Sequence, residues 1–155
     1  MKVRGARTMT RDQWHLTLQF LGNNADVDTV VDALDGLPVP GGRVRLAGAG
    51  AFPNARRGRV LWIGLGEGSD VVTRLARAVG ERLAPLGYEP EARAFQPHVT
   101  IVRCAHPTDL RAPVAALDAE SFGPAWRVDA LTVYESRLRP EGAVYVERAT
   151  VPLSG

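Results

Sequence analysis

The chain has 155 residues, 45% of them hydrophobic, enough for one buried core and ordinary for a globular domain. No apolar run approaches the roughly 20 residues that span a bilayer, and Met1-Lys2-Val3-Arg4-Gly5 has no apolar core of the kind a signal peptide needs. A cytoplasmic protein with no membrane partner is expected, and Cys104, the only cysteine, rules out an internal disulfide.

Trp14 to Leu21 carries leucines at alternate positions and is closed by Gly22-Asn23-Asn24, which predicts a strand running into a turn. From Asp26 the period changes: Val27, Val30, Val31, Leu34 and Leu37 recur at helical spacing until Pro38 and Pro40. Val44 to Ala51 and Arg59 to Leu65 read as a hairpin joined through Pro53, Asn54 and Gly58. Ser69 is a good N-cap for the clearest helix, with Val71, Val72, Leu75, Ala76, Val79 and Leu83 on one stripe and Gly87 as its stop.

Phe95 to Val102 is a second histidine-bearing strand, followed by a shorter helix from about Thr108 to Leu117 that Pro113 should interrupt. Trp126 to Tyr134 and Ala143 to Val151 form a closing hairpin across Arg139-Pro140-Glu141-Gly142. The order is thus histidine strand, helix, hairpin, a bridging helix, then the same three again. His15 stands as far before Trp62 as His98 stands before Tyr145. A duplicated unit of this kind predicts an α+β fold: one bilobal domain over residues 1–155, with repeat units at about 1–66 and 67–155. Two antiparallel-rich sheets with flanking helices would face a central cleft across a pseudo-two-fold axis.

The chemistry concentrates in His-x-Thr-x, which occurs twice, as His15-Leu16-Thr17-Leu18 and His98-Val99-Thr100-Ile101. Residues two apart on a strand share a face, so each histidine stands beside its threonine while Leu16, Leu18, Val99 and Ile101 turn to the core. In-line hydrolysis of a phosphodiester needs one group to take a proton from water and another to protonate the departing oxygen. Two imidazoles, which titrate near neutrality, can do both. The hydroxyls can donate hydrogen bonds to the non-bridging phosphate oxygens. His106, without a threonine partner and next to Pro107, reads as a surface residue.

Other chemistries lack their residues. There is no HExxH, no His-x-His and no carboxylate cluster beside the histidine strands for a metal, so neither metal nor other cofactor is expected. No Gly-x-Ser-x-Gly elbow exposes a serine nucleophile. Gly64-Leu65-Gly66-Glu67-Gly68-Ser69 lacks the lysine of a phosphate-cradling loop and should only turn the chain. Lys2 is the sole lysine, and the cluster Arg56-Arg57-Gly58-Arg59 is either an anion-binding loop or a solvated turn.

Trp14-His15-Leu16-Thr17-Leu18-Gln19-Phe20-Leu21-Gly22, Gly50-Ala51-Phe52-Pro53, Arg59-Val60-Leu61-Trp62-Ile63-Gly64 and Phe95 to Arg103 occur in the order seen in one family. Through them the chain resembles the 2H phosphoesterases, in particular the LigT-like RNA 2′,3′-cyclic phosphodiesterases of the 2′-5′ RNA ligase family. The resemblance implies the bilobal LigT-like fold and opening of a 2′,3′-cyclic phosphate on RNA or a nucleotide to leave a 2′-phosphate. It makes His15 and His98 the acid/base pair, His15 as acid and His98 as base by family analogy. Thr17, Thr100 and Arg103 become phosphate ligands, and Phe20 and Phe52 candidates for contacts to base or ribose. Strict alternation from His98 turns Arg103 to the core, so its role requires the strand to end or twist there.

Family members usually carry a strand and a helix ahead of the first motif, whereas only 14 residues precede His15. The expectation is that this lobe either is completed upstream or pairs its bare strand edge and sheet face with a second copy as a homodimer. The competing function is a module of the same fold that holds RNA ends or nucleotides without turnover.

Overall fold

Alternation on the strands decides where the first core forms. The computed structural model describes residues 5–154; the reading made of Met1-Lys2-Val3-Arg4 lies outside them. A five-stranded antiparallel sheet contains β1 (Ala6–Thr8), β2 (Gly42–Phe52), β3 (Gly58–Leu65), β4 (Val99–Thr108) and β5 (Ser121–Val128), in the order β1-β4-β3-β2-β5. One face buries Leu61, Val102 and Cys104 with Leu110, against Val114 and Leu117 of helix α3 (Arg111–Asp118). Cys104 is buried there as a small apolar residue.

A second core is built on the hairpin β6 (Ala130–Arg139) and β7 (Gly142–Pro152). Leu131 and Val151 pack with Val30 and Leu34 of α1 (Val27–Leu34), with Leu37 and Val39 after it, and with Leu75, Val79 and Leu83 of α2 (Ser69–Leu83). Asp26 caps α1, its carboxylate accepting from Thr29 N at 3.2 Å. Beyond α2 the chain reverses at Gly87, whose φ of 91° is open to glycine.

The chain falls into two compact units. Residues 5–17, Val44–Ser69 and Gln96–Trp126 make the first, and Leu18–Arg43, Asp70–Phe95 and residues 127–154 the second. The fold is α+β, as the alternation of periods predicts, and no helix among the described residues is long and apolar enough to cross a membrane.

Three elements differ from the sequence reading. The strand expected over Trp14 to Leu21 contracts to one antiparallel bridge, Leu16 with Val99. The helix near Pro113 is not interrupted: it begins at Arg111, and Pro113 sits in the first turn, where no intrahelical partner is needed for its missing N–H. Trp126 is not in the closing hairpin. It belongs to β5, an edge strand that the Gly123-Pro124 pair disguises as a loop. Pro is compatible with an edge, and Gly123, at φ 71°, gives its carbonyl to Arg45 Nε at 2.9 Å.

Leu61 has no exposed surface at the centre of the first core. Leu61→Ala should therefore cost about 2–5 kcal/mol of unfolding free energy, read as a lower urea midpoint at unchanged slope.

Candidate functional site

The two His-x-Thr segments meet in the first unit. β4 uses one edge for β3, where Val99 pairs with Ile63, and the other for β1 and then Leu16. Between Thr8 and Leu16 the chain leaves that edge through a 3₁₀ turn, Arg11–Gln13. Counting one residue out from the antiparallel Leu16–Val99 bridge sets His15 opposite Thr100 and Thr17 opposite His98. Their side chains project from the face opposite Leu16 and Val99. Each imidazole thus has the other motif's hydroxyl across from it, and the histidines are diagonal neighbours, a relation that separates side chains by about 7–8 Å. All four residues are half-buried.

Both rings are held the same way. His15 Nδ1 lies 2.8 Å from the Gln13 carbonyl oxygen, and His98 Nδ1 lies 2.7 Å from that of Gln96. A carbonyl only accepts, so each Nδ1 carries a proton and each Nε2 is left as the nitrogen that exchanges one. The local sequence aims both carbonyls. Gln13 is buried, and its side-chain oxygen accepts from Thr10 N at 3.0 Å, which anchors the turn. Gln96 precedes Pro97, whose ring steers the preceding residue to extended backbone. The repeated unit is therefore Gln-x-His-x-Thr, and the glutamine two residues before each histidine is a sequence signal that the shorter motif overlooks.

His98 has an aromatic wall. Phe52 meets its ring edge-on, with centroids 4.9 Å apart and an interplanar angle of 85°, while Trp62 lies 5.9 Å away, and the two aromatics are 5.3 Å from each other. Trp62 can lie there only over a glycine: a Cβ on Gly50, its partner across β2 and β3, would come within 2.2 Å of the indole Cζ2. Trp62 and Gly50 were not among the expected site residues, because only the register shows which glycine lies under which ring.

Arg103 shares this face, because β4 bulges. Leu61 pairs with Val102 and Trp62 with Thr100, so Ile101 is the extra residue, its carbonyl accepting from Met9 N at 2.8 Å. On β3, Val60 and Trp62 point the same way, and their partners Arg103 and Thr100 do too. The bulge supplies the change of alternation that Arg103 needs, while Val102 and Cys104 stay buried on the other side.

Of the other expected residues, Phe20 lies in the second unit, 68% exposed. His106 is exposed. Arg56 and Arg57 are exposed in the turn between β2 and β3, where Asn54 Oδ1 accepts from Arg57 N at 3.0 Å, and Arg59 Nε donates to the Cys104 carbonyl at 3.2 Å. Among the described residues no three His, Cys, Asp or Glu side chains gather as metal ligands would.

A face with two imidazoles in one tautomer, two hydroxyls and a guanidinium is suited to proton transfer at a phosphate. The model of the 2'-5' RNA ligase superfamily matches residues 2–139. The chain belongs to that family. Its relatives include proteins named RNA 2',3'-cyclic phosphodiesterase from Aeropyrum pernix, 31% identical over 90% of this chain and 81% of that one, and from Archaeoglobus fulgidus, 31% identical over 92% and 81%. Among solved structures, TT0787 of Thermus thermophilus superposes with a TM-score of 0.74 at 26% identity, covering 96% of this chain and 82% of that one. Escherichia coli LigT in its apo form gives 0.78 at 24% identity, covering 97% and 82%, and shares the fold.

Two outcomes follow. At a pH where the rings are neutral, nitrogen-15 NMR should find His15 and His98 both protonated at Nδ1; an Nε2–H form of either would contradict the carbonyl contacts. Gly50→Ala should displace Trp62, change the near-ultraviolet circular dichroism and lower stability by about 1–3 kcal/mol, the usual cost of overpacking.

Proposed function

We propose that this chain is an RNA 2′,3′-cyclic phosphodiesterase that opens the cyclic phosphate to a 2′-phosphate by two-histidine acid/base catalysis without a metal. The observation that carries the reading is the Leu16–Val99 bridge, which brings two identically held imidazoles and two hydroxyls to one sheet face. The name borne by the family's relatives points to the same substrate.

The site lends itself to the following chemistry. By family analogy His98 Nε2 takes a proton from water, whose oxygen attacks phosphorus opposite the 3′ oxygen. As the bond from phosphorus to that oxygen breaks, His15 Nε2–H protonates it, leaving the phosphate on the 2′ oxygen. The reaction ends with His98 charged and His15 neutral, so a proton returns through solvent before the next turnover. Thr17 and Thr100 hydroxyls and the Arg103 guanidinium hold the non-bridging oxygens, where donors fixed in advance are worth most as charge develops. Phe52, already against His98, is a proposed contact for the base or ribose. The mechanism calls for no metal, because both proton transfers and the stabilisation of the phosphate charge have side chains assigned to them.

Incubation with 2′,3′-cyclic AMP and with an oligoribonucleotide ending in a 2′,3′-cyclic phosphate should yield 2′-phosphates. His15→Ala and His98→Ala should each lower kcat by about 10² to 10⁴ with the fold retained by circular dichroism. Near-normal turnover in either would refute the mechanism. Thr17→Ala and Thr100→Ala should cost less, since each removes one hydrogen bond to charge. The pH–rate profile should be bell-shaped: acid protonates the base, and alkali strips the acid. EDTA should leave the rate unchanged, and a loss that added metal restores would overturn the metal-free reading.

A further inference from the structure

The face that carries His98, Thr100 and Arg103 extends to a second arginine. Arg7 of β1 is the direct antiparallel partner of Arg103, and directly opposed residues project from the same side of a sheet. Both arginines are exposed. β1 is a three-residue edge strand, held by its pairing with β4, by Ala6 against the first core and by Met9 N donating to the Ile101 carbonyl at 2.8 Å. Two exposed arginines side by side on one face offer two planar forks, each matched to phosphate oxygens.

Building on the phosphodiesterase reading, we propose that Arg7 binds the phosphodiester that joins the terminal nucleotide to the rest of an RNA chain, while Arg103 holds the cyclic phosphate. The preferred substrate class is then an RNA 3′ end, and a free cyclic mononucleotide leaves half of the arginine pair unused. The spacing suits neighbouring phosphates. Adjacent strands lie about 4.8 Å apart, and the long arginine stems let the two guanidiniums spread from there to neighbouring phosphates of one chain. Polarity agrees as well, because a terminal 2′,3′-cyclic phosphate has one neighbouring phosphate, on the 5′ side of its own nucleotide.

The test compares 2′,3′-cyclic AMP with a diadenylate ending in a 2′,3′-cyclic phosphate, which adds one phosphodiester. In Arg7→Gln the ratio of kcat/KM for the dinucleotide to that for the mononucleotide should fall about tenfold or more, the scale of a lost hydrogen bond between charged groups. Arg7→Lys, which keeps the charge and loses the fork, should fall between. With a longer oligonucleotide, the slope of log(kcat/KM) against log salt should flatten by about 0.7, the share of one phosphate contact on a single strand. An unchanged ratio in both variants would overturn the proposal, as would an equal loss on both substrates, which would place Arg7 at the reacting phosphate or in the fold. If Arg7→Gln does not fold, the lysine variant reads the same ratio. If the unaltered protein turns over neither substrate, the phosphodiesterase reading falls separately. Fluorescence anisotropy with a labelled, 3′-phosphate-ended oligonucleotide then decides on Arg7: an equal Kd in both proteins rejects it, and a tenfold weaker one supports it.

Discussion

One antiparallel contact sets the geometry of the site. Leu16 against Val99 is a single bridge, yet its register determines which threonine faces which histidine and on which side of the sheet all four stand. A shift of one residue would turn both imidazoles toward the apolar side. The anchor on the β4 side is strong, because Val99 is also paired to Ile63 in the interior of the sheet. On the other side the chain is free to leave the ladder at once, since Thr17 and Leu18 belong to different units. The contraction of an expected strand to one bridge is thus the form the sequence takes where it passes from one unit to the other.

The two histidines are equivalent in what holds them and distinct in what surrounds them. Both rings give Nδ1–H to a carbonyl two residues earlier, so the backbone that carries each imidazole also fixes its tautomer. The means differ: a 3₁₀ turn anchored by Gln13 in one case and the restriction imposed by Pro97 in the other. His98 additionally rests against Phe52 and Trp62. Unlike surroundings for one motif suit the proposed roles, in which one imidazole would start charged and the other neutral.

Much of this was legible in the sequence. The helices α1 and α2 follow from their apolar stripes, the hairpin of β2 and β3 from its turn residues, and the pairing of motifs from His-x-Thr occurring twice. What could not be read lies in register. Nothing local marks Ile101 as the extra residue of a bulge: Val99 to Val102 is an unbroken β-branched run with the threonine included, and strict alternation is the natural reading. Gly50 is likewise one glycine among 16 until the pairing of β2 with β3 places it under Trp62. β5 was missed because Gly123 and Pro124 are turn residues by propensity and edge-strand residues by context.

The bulge joins these threads. A regular β4 would exchange the two faces beyond Thr100, turning Arg103 to the apolar side with Leu61, where an unpaired guanidinium would carry a heavy desolvation cost, and turning Val102 and Cys104 out of it. Inserting Ile101 leaves the apolar side its full complement and moves the charge to the histidine face at the expense of one unpaired position, and that position's carbonyl is satisfied by Met9 N. The same insertion brings Arg103 into line with Arg7 on β1, because β1 pairs with the part of β4 that lies beyond the bulge. The extra residue therefore moves both arginines, and not Arg103 alone, onto the face that carries the imidazoles. A sheet that is apolar on one side and carries two arginines at one end of the other gains that pattern from a single irregularity in register.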